Sequence, residues 1–209
     1  MRKTMTVSIG CAALLAATVL LAAGGAPAGN LVRNTSFELR SGPRRPYPAE
    51  PWGYGHLDTL ARSPFACWGY SGFFDGGVYD IKLGKGHTGK QAVRLVCRKK
   101  GRAGICTEAI RVKPETRLRF RGFFKGIGAK GECWVNFEGD PGDGWSAIQL
   151  PRKADYDWTE VTGVVTVKKP RGKKNQPDEN GNVAIHLFIY TKAYGELWID
   201  DVTLTPIED

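Results

Sequence analysis

The sequence predicts an all-β protein, a two-sheet antiparallel β-sandwich, from three observations. Beyond the first 30 residues, no segment keeps a helical period of 3.6 for twelve residues without a glycine or a proline. Segments with apolar side chains at every second position are frequent instead, as in half-buried strands. Stretches rich in Gly, Pro, Asp and Asn separate these segments at intervals typical of sandwich folds.

Eight segments carry the strand pattern, and two stretches do not. The predicted strands are Leu31–Glu38, Gln91–Cys97, Ile105–Val112, Arg117–Lys125, Glu132–Glu138, Thr159–Val167, Val183–Thr191 and Glu196–Thr205. Residues 40–66 contain five prolines, and residues 168–182 are a charged stretch. We predict both stretches to be loops, and a loop as long as the first is often functional.

The first 28 residues have the pattern of a secretory signal peptide. An Arg-Lys pair precedes a long apolar run, and Ala26-Pro27-Ala28 supplies the small residues of a cleavage site. We therefore expect a mature domain over residues 29–209 that is secreted, periplasmic or on the cell surface. An N-terminal membrane anchor is the alternative. No other apolar run approaches the roughly 20 residues of a membrane span, so we predict no span after cleavage.

The balance of charged residues limits the chemical classes of partner that we expect. The chain has 209 residues, with 30 Lys and Arg, 21 Asp and Glu, and a formal net charge of +9. Without Arg2 and Lys3, the mature chain keeps 28 basic and 21 acidic residues, so its net charge is +7. An exported basic protein does not normally meet nucleic acid, and we expect acidic polysaccharide or an anionic cell surface as the counter-charge. The apolar fraction of 42% excludes a disordered chain.

Four cysteines remain after the signal peptide: Cys67, Cys97, Cys106 and Cys133. Four cysteines in an exported chain predict two disulfides, with three possible connectivities. We favour Cys97–Cys106 because both residues flank a basic, glycine-containing stretch with turn character. Cys67–Cys133 is then the second pair. A zinc site is the alternative, but the chain has no C-x-x-C spacing.

Several phrases of the mature chain resemble one family. Residues 30–38 read N-L-V-R-N-T-S-F-E, residues 87–95 read H-T-G-K-Q-A-V-R-L, and residues 197–204 read L-W-I-D-D-V-T-L, while Trp68 follows the first long loop. In order and spacing, these phrases resemble those of carbohydrate-binding modules of the family 4, 9 and 22 type. The resemblance covers nearly the whole mature chain. It implies a galactose-binding-like jelly roll with a sugar as its ligand.

The resemblance also implies a structural calcium ion near the paired chain ends. The matching ligands are the carboxylates of Glu38 and of Asp200 or Asp201, with backbone carbonyls between Thr88 and Lys90. Calcium takes six to eight oxygen ligands, and mixed sets of carboxylates and carbonyls are common. Two adjacent acids without a cation would repel each other. The alternative is that Glu38 and Asp200 accept hydrogen bonds from nearby backbone.

Strand alternation predicts which side chains face outward. In Val183–Thr191 the aliphatic side chains face the core, so that His186, Phe188 and Tyr190 point outward. The other outward side chains are Trp134, Asn136 and Glu138 of one strand, Arg119, Arg121 and Phe123 of another, and Arg94 of a third. The jelly-roll order implied by the resemblance places all four strands in one sheet.

The outer face of that sheet is the predicted sugar site. Aromatic rings stack on the C–H faces of pyranoses, while amides, carboxylates and guanidiniums bind hydroxyl groups. Three arginines also suit uronate or sulfate groups through bidentate hydrogen bonds. Two alternatives are that the Pro-rich loop covers the outward rings, or that the site lies at the loop ends of the sandwich.

No catalytic motif is present: the chain lacks G-x-S-x-G, H-E-x-x-H and a phosphate-binding loop. We therefore predict a non-catalytic module whose partner is a polysaccharide or an oligosaccharide, anionic polysaccharide included. One alternative is a cell-envelope interaction module with the same fold and no sugar ligand. Another is a small polysaccharide lyase that uses His186, Tyr190 and Arg121 as base and charge-neutralising groups.

Overall fold

The computed structural model describes residues 29–33, 35–38, 68–70, 77–97, 103–139, 146–170, 176–192 and 194–208. This part of the chain contains β-strands and no helix, and accordingly no helix that could span a membrane. The strands are β1 (Trp68–Tyr70), β2 (Gly77–Leu83), β3 (Gln91–Cys97), β4 (Ala103–Thr107), β5 (Ile110–Val112), β6 (Arg117–Lys130), β7 (Cys133–Glu138), β8 (Ser146–Gln149), β9 (Tyr156–Thr166), β10 (Val183–Thr191) and β11 (Tyr194–Pro206). The predicted signal peptide (residues 1–28) and the predicted Pro-rich loop (residues 40–66) lie outside the described residues.

Two antiparallel sheets form a sandwich. Sheet I has the order β1-β4-β10-β7-β8, with β5 also paired to β10, and sheet II has the order β2-β3-β11-β6-β9. The core lies between them: Val135 and Leu187 of sheet I and Phe120 and Ile199 of sheet II are fully buried in one hydrophobic cluster. The predicted fold class, an all-β two-sheet antiparallel sandwich, is confirmed.

The side chains alternate as the sequence pattern requires. In the first half of β6, Leu118 and Phe120 are buried in the core, whereas Arg119 and Arg121 are exposed. The same alternation buries every second side chain of β10 in the core. The period of two therefore gives correctly which residues of β6 and β10 enter the core; in β11 a register shift interrupts it, and Leu197 and Ile199 are followed in the core by Val202.

Most predicted strands exist, with adjusted ends. Gln91–Cys97 and Val183–Thr191 coincide with β3 and β10. The segments that begin at Arg117, Glu132, Thr159 and Glu196 correspond to β6, β7, β9 and β11. Ile105–Val112 is two strands, because β4 ends at Thr107 and β5 begins at Ile110. The short strands β1 and β8, and also β2, were not predicted.

The predicted strand Leu31–Glu38 is wrong. Phe37 has a φ of 56°, a left-handed conformation that interrupts a regular strand. The segment contacts β11 through separate backbone hydrogen bonds, from Leu31 N to Leu204 O (2.8 Å) and from Val202 N to Thr35 O (2.9 Å). Val32 and Phe37 are buried in the core, so their apolar side chains reflect burial rather than a ladder of strand pairs.

The two predicted disulfides are also wrong for the described part of the chain. Cys97 ends β3 in sheet II, whereas Cys106 lies in β4 of sheet I, and the structure holds both as buried thiols. Cys133 is a thiol as well; its Sγ lies 3.1 Å from Thr191 Oγ1, and Cys67 lies outside the described residues. Cys106 lies opposite the outward-pointing Phe188 in the register of β10 and β4, so its side chain points away from sheet II and from Cys97.

Candidate functional site

The outer face of sheet I brings together six of the predicted site residues. In the antiparallel register of β7 and β10, Trp134 is opposite Tyr190, Asn136 is opposite Phe188 and Glu138 is opposite His186. The alternate residues of both strands are buried in the core. The six side chains therefore share the outward side of sheet I, and we call this surface the ring face. Its position in two neighbouring strands follows from the alternation that the sequence predicts.

One end of the ring face is a pair of aromatic rings. The ring centroids of Trp134 and Tyr190 are 5.2 Å apart, with an interplanar angle of 41°. Both side chains are half-buried. Lys192, two residues after Tyr190 and therefore on the same side of the chain, places its Nζ 5.0 Å from the Trp134 ring centroid. Lys192 is not among the predicted site residues, although the same alternation includes it.

The amide of Asn136 lies beside this ring pair. Asn136 is 4% exposed, and its Nδ2 donates a hydrogen bond to Tyr190 Oη at 3.1 Å. Its Oδ1 is buried and has no hydrogen-bond partner among the described residues. An unpaired buried acceptor costs about 1–3 kcal/mol, so a donor that reached this atom would stabilise the site. Because the atom has no contact with solvent in this arrangement, such a donor must displace neighbouring groups.

The other end of the ring face is more polar. His186 Nδ1 lies 3.1 Å from the carbonyl oxygen of Thr107, and its ring is 6.1 Å from that of Phe188. Phe188 is buried beside Cys106, its partner in the register of β10 and β4. Burial is the main cause that raises the pKa of the Cys106 thiol to about 12, and the nearby Glu138 carboxylate contributes to this rise. The middle of the ring face is therefore filled, and its accessible parts lie towards the two ends.

The other predicted site residues lie on the opposite side of the molecule. Arg119, Arg121 and Phe123 belong to β6 and Arg94 belongs to β3, and both strands are in sheet II. The prediction that one outer face collects all these side chains is wrong, because β6 pairs with β11 and β9 instead of β7. The predicted lyase set fails for the same reason, since Arg121 cannot share a face with His186 and Tyr190.

On sheet II, Arg121 and Phe123 belong to a second cluster. The His87 and Phe123 rings stack with centroids 3.7 Å apart and an interplanar angle of 12°, and Trp158 contacts His87 edge-on at 5.8 Å. The Arg121 guanidinium lies 5.1 Å from the Phe123 ring centroid and its Nε donates to Glu160 Oε1 at 2.5 Å. The cluster holds the loop that carries His87 against the outer face of sheet II.

The predicted calcium ligands surround the same loop and accept hydrogen bonds from it. Asp200 Oδ2 accepts from the backbone N–H groups of His87 (2.7 Å) and Thr88 (3.1 Å). Glu38 Oε1 accepts from those of Lys90 (2.6 Å) and Gln91 (2.9 Å). These carboxylates therefore tie the N-terminal segment and β11 to one loop, as the alternative to calcium requires.

Asp200 and Asp201 differ in their surroundings. Asp200 is fully buried, and its pKa is raised to about 7, first by burial and then by the Asp201 carboxylate. Asp201 accepts a hydrogen bond from Thr88 Oγ1 at 2.6 Å, and its Oδ2 lies 2.7 Å from His87 Nδ1. Two adjacent carboxylates, one of them buried, favour a nearby positive charge.

The oxygens beside Gly86 fit a cation. A Cβ atom added to Gly86 would lie 2.3 Å from Thr88 O, 2.7 Å from Gln91 O and 3.0 Å from Asp200 Oδ2. One carboxylate and two carbonyl oxygens thus converge on one small space, which is a calcium-like donor set. The Lys90 carbonyl instead accepts a hydrogen bond from Gly84 N. Among the described residues, no three His, Cys, Asp or Glu side chains are grouped to hold a metal, so carbonyls must supply part of any shell.

Comparison with known proteins shows a likeness of fold. No family model and no curated protein matches the chain. The enzymatically active domain of tailspike protein 4 from bacteriophage CBA120 matches with a TM-score of 0.52 and 13% identity, over 87% of this chain and 22% of that one. The CBM22-1 xylan-binding domain of Xyn10C from Paenibacillus barcinonensis matches with a TM-score of 0.46 and 15% identity, over 68% of this chain and 86% of that one. TmCBM61, solved in complex with β-1,4-galactotriose, matches with a TM-score of 0.43 and 18% identity, over 78% of this chain and 99% of that one. The structures similar to this chain thus include carbohydrate-binding modules, the family type that the sequence phrases resemble.

Proposed function

We propose that this chain is a secreted, non-catalytic module that binds carbohydrate through the ring face of sheet I. The observation that carries the proposal is the outward pair of Trp134 and Tyr190, joined to the buried amide of Asn136. Half-buried neighbouring rings with a polar group at their edge match the surface of a pyranose, which has apolar C–H faces and a rim of hydroxyls.

The charges of the ring face favour a neutral sugar. Its predicted arginines lie on sheet II. Among the described residues, the basic side chains on this outer side of sheet I include Lys192, which sits against Trp134, and Arg111, which lies opposite Ala184 towards the other end. Glu138 adds a negative charge at the other end. Paired guanidiniums are the groups best suited to a uronate or sulfate, whereas Asn136, Glu138 and His186 suit hydroxyl groups. The ligand proposed for the ring face is therefore a neutral polysaccharide or oligosaccharide.

Export and the lack of a catalytic role rest on the sequence and on the placement of side chains. The Arg-Lys pair, apolar run and Ala-Pro-Ala site support secretion. The groups that a lyase would need together are divided between sheets I and II, which supports a binding role instead of catalysis. Detection of the processed chain in the medium or periplasm, with Ala28 removed, tests the export step.

Affinity electrophoresis in gels that contain neutral or acidic polysaccharides tests the proposed ligand. We expect a neutral polysaccharide to retard the protein, and Trp134→Ala and Tyr190→Ala each to reduce the affinity roughly tenfold, or about 1.4 kcal/mol. Trp158→Ala is the matched control, because it removes a half-buried aromatic side chain from sheet II. Equal effects of the three substitutions, or no retardation by any neutral glycan, would contradict the proposal.

We also propose a structural calcium ion at the chain ends. Asp200 and Glu38, with the carbonyls of Thr88 and Gln91, would hold it, and the ion would supply the positive charge that Asp200 and Asp201 lack. Removal of calcium by a chelator should lower the melting temperature of the parent protein but not that of Asp200→Asn. No heat of binding and no thermal shift at roughly millimolar calcium would rule the ion out.

A further inference from the structure

The outer face of sheet II carries a row of three arginines. Arg117, Arg119 and Arg121 are exposed at every second position of β6, while Leu118 and Phe120 between them are buried in the core. Residues two apart in a strand are separated by about 6.8 Å. The arginine row, as we call these three residues, is therefore a regular line of positive groups along one strand.

The neighbours of the arginine row are mostly neutral. In the registers of β6 with β11 and β9, Arg119 lies between Thr205 and Val164, and Arg121 lies between Thr203 and Thr162. Short hydroxyl and aliphatic side chains therefore flank the guanidiniums and leave them accessible. Threonine hydroxyls beside a guanidinium add hydrogen-bond donors for an oxyanion.

Acidic groups compensate only part of this charge. Glu160 pairs with Arg121, and these two side chains are 44% and 52% exposed. Within the described part of the chain, Arg119 forms no ion pair, although Glu208 lines the same surface depression, and Arg117 makes an interaction of its own. Lys168 adds a further exposed charge, two residues beyond Thr166, which is the register partner of Arg117. The surface therefore carries a net positive charge, in keeping with the +7 of the mature chain.

We propose that the arginine row binds a linear anionic polysaccharide, with carboxylate or sulfate groups along its chain. A flat sheet face with evenly spaced charges suits an extended polyanion better than a small ligand, which would need a pocket. Guanidiniums bind carboxylate and sulfate in a bidentate way, and a row of them can contact successive groups. The arginine row is separate from the ring face, because the two lie on opposite outer sides of the sandwich.

Binding to heparin and to polygalacturonate, measured by calorimetry at low and moderate salt, tests the arginine row. Arg119→Gln should weaken the binding about two- to fivefold, the range for an exposed charge contact, and the triple Arg→Gln variant by roughly tenfold or more. Both variants should also show a shallower dependence of affinity on salt. Lys130→Gln and Lys153→Gln are matched controls, since each removes one exposed charge elsewhere, and both should stay within about 1.5-fold of the parent.

The outcomes separate this proposal from its competitors. If Arg119→Gln behaves like the two lysine controls, net charge alone explains the binding and the proposal is overturned. It is also overturned if neither polyanion binds, or if only vesicles that contain anionic lipid bind. Trp134→Ala should leave heparin binding unchanged. Weaker heparin binding by this variant would assign the anion-binding site to the ring face instead of the arginine row. Thermal melting checks that each variant keeps the fold; the substituted Arg and Lys side chains are exposed, and Trp134 is half-buried.

Discussion

Trp134 and Tyr190 are direct neighbours across β7 and β10, with ring centroids 5.2 Å apart. Residues paired in this way point to the same side of a sheet. Asn136, two residues after Trp134, donates a hydrogen bond to Tyr190 Oη. The two rings and the amide are therefore one connected unit, and the proposed sugar site depends on it.

The substitution Tyr190→Phe tests the contribution of the Tyr190 ring separately from that of its hydroxyl. The ring, and with it the stacking surface, stays, but Asn136 Nδ2 loses its partner and becomes a buried unpaired donor. We expect a loss of about 1–2 kcal/mol in the free energy of unfolding, together with a smaller loss of sugar affinity than in Tyr190→Ala. Urea denaturation and calorimetric titration measure the two quantities. Sugar affinity as low as in Tyr190→Ala would show that the ring does not stack on the ligand.

Asn136→Leu should show a trade-off between stability and binding. Leu has the same number of side-chain heavy atoms but removes the unpaired Oδ1, and the half-buried Tyr190 hydroxyl can turn to water. We expect the free energy of unfolding to stay within about 0.5 kcal/mol of the parent or to rise, while sugar affinity falls. A loss of stability above about 2 kcal/mol with normal sugar binding would assign Asn136 a purely structural role.

The outward and inward positions of the ring face could be predicted because they depend on one strand at a time. His186, Phe188 and Tyr190 alternate with aliphatic residues, and this period alone decides which side of the strand they take. The degree of burial of these outward side chains could not be predicted from the alternation. Phe188 points away from the core and is nevertheless 6% exposed, because contacts from other parts of the chain decide how much of an outward side chain stays accessible.

The assignment of strands to sheets could not be predicted in this way. Arg121 and Trp134 lie 13 residues apart in the sequence, and both point outward, but they belong to different sheets. Alternation gives the side of a strand and contains no information about its neighbours, which long-range pairing decides. The error in the Cys97–Cys106 disulfide has a related origin, because the chain changes sheets between the two residues and Cys106 takes the outer side of sheet I, away from Cys97.

Because the thiol of Cys106 is buried, the free energy of unfolding should depend on pH in the alkaline range. Its pKa is raised from about 9 to about 12, mainly by burial. At a pH between these two pKa values, the unfolded chain loses the thiol proton while the folded protein keeps it. The contribution of the Cys106 thiol to the free energy of unfolding is therefore complete below pH 9 and is lost as the pH rises above it. In Cys106→Ala and Cys106→Ser, the free energy of unfolding should fall less steeply between pH 8 and pH 10.5 than in the parent. Urea denaturation over this range measures the slopes, and parallel curves for all three proteins would contradict the prediction.

Gly89 and Gly84 offer a matched test of the contact between the N-terminal segment and its loop. Both have positive φ values, 64° and 71°, so alanine is strained at either position. A Cβ added to Gly84 meets nothing within 4 Å, whereas one added to Gly89 would lie 2.3 Å from Glu38 Oε1. We expect Gly84→Ala to cost about 1 kcal/mol in the free energy of unfolding.

Gly89→Ala should cost about 2–3 kcal/mol, because Glu38 must also release the N–H groups of Lys90 and Gln91. The same two substitutions in a Glu38→Ala background remove the collision and keep the strain. Their costs should then become equal, which a double-mutant cycle from urea denaturation measures. A difference that persists without Glu38 would mean that the loop at Gly89 is held by contacts other than this carboxylate.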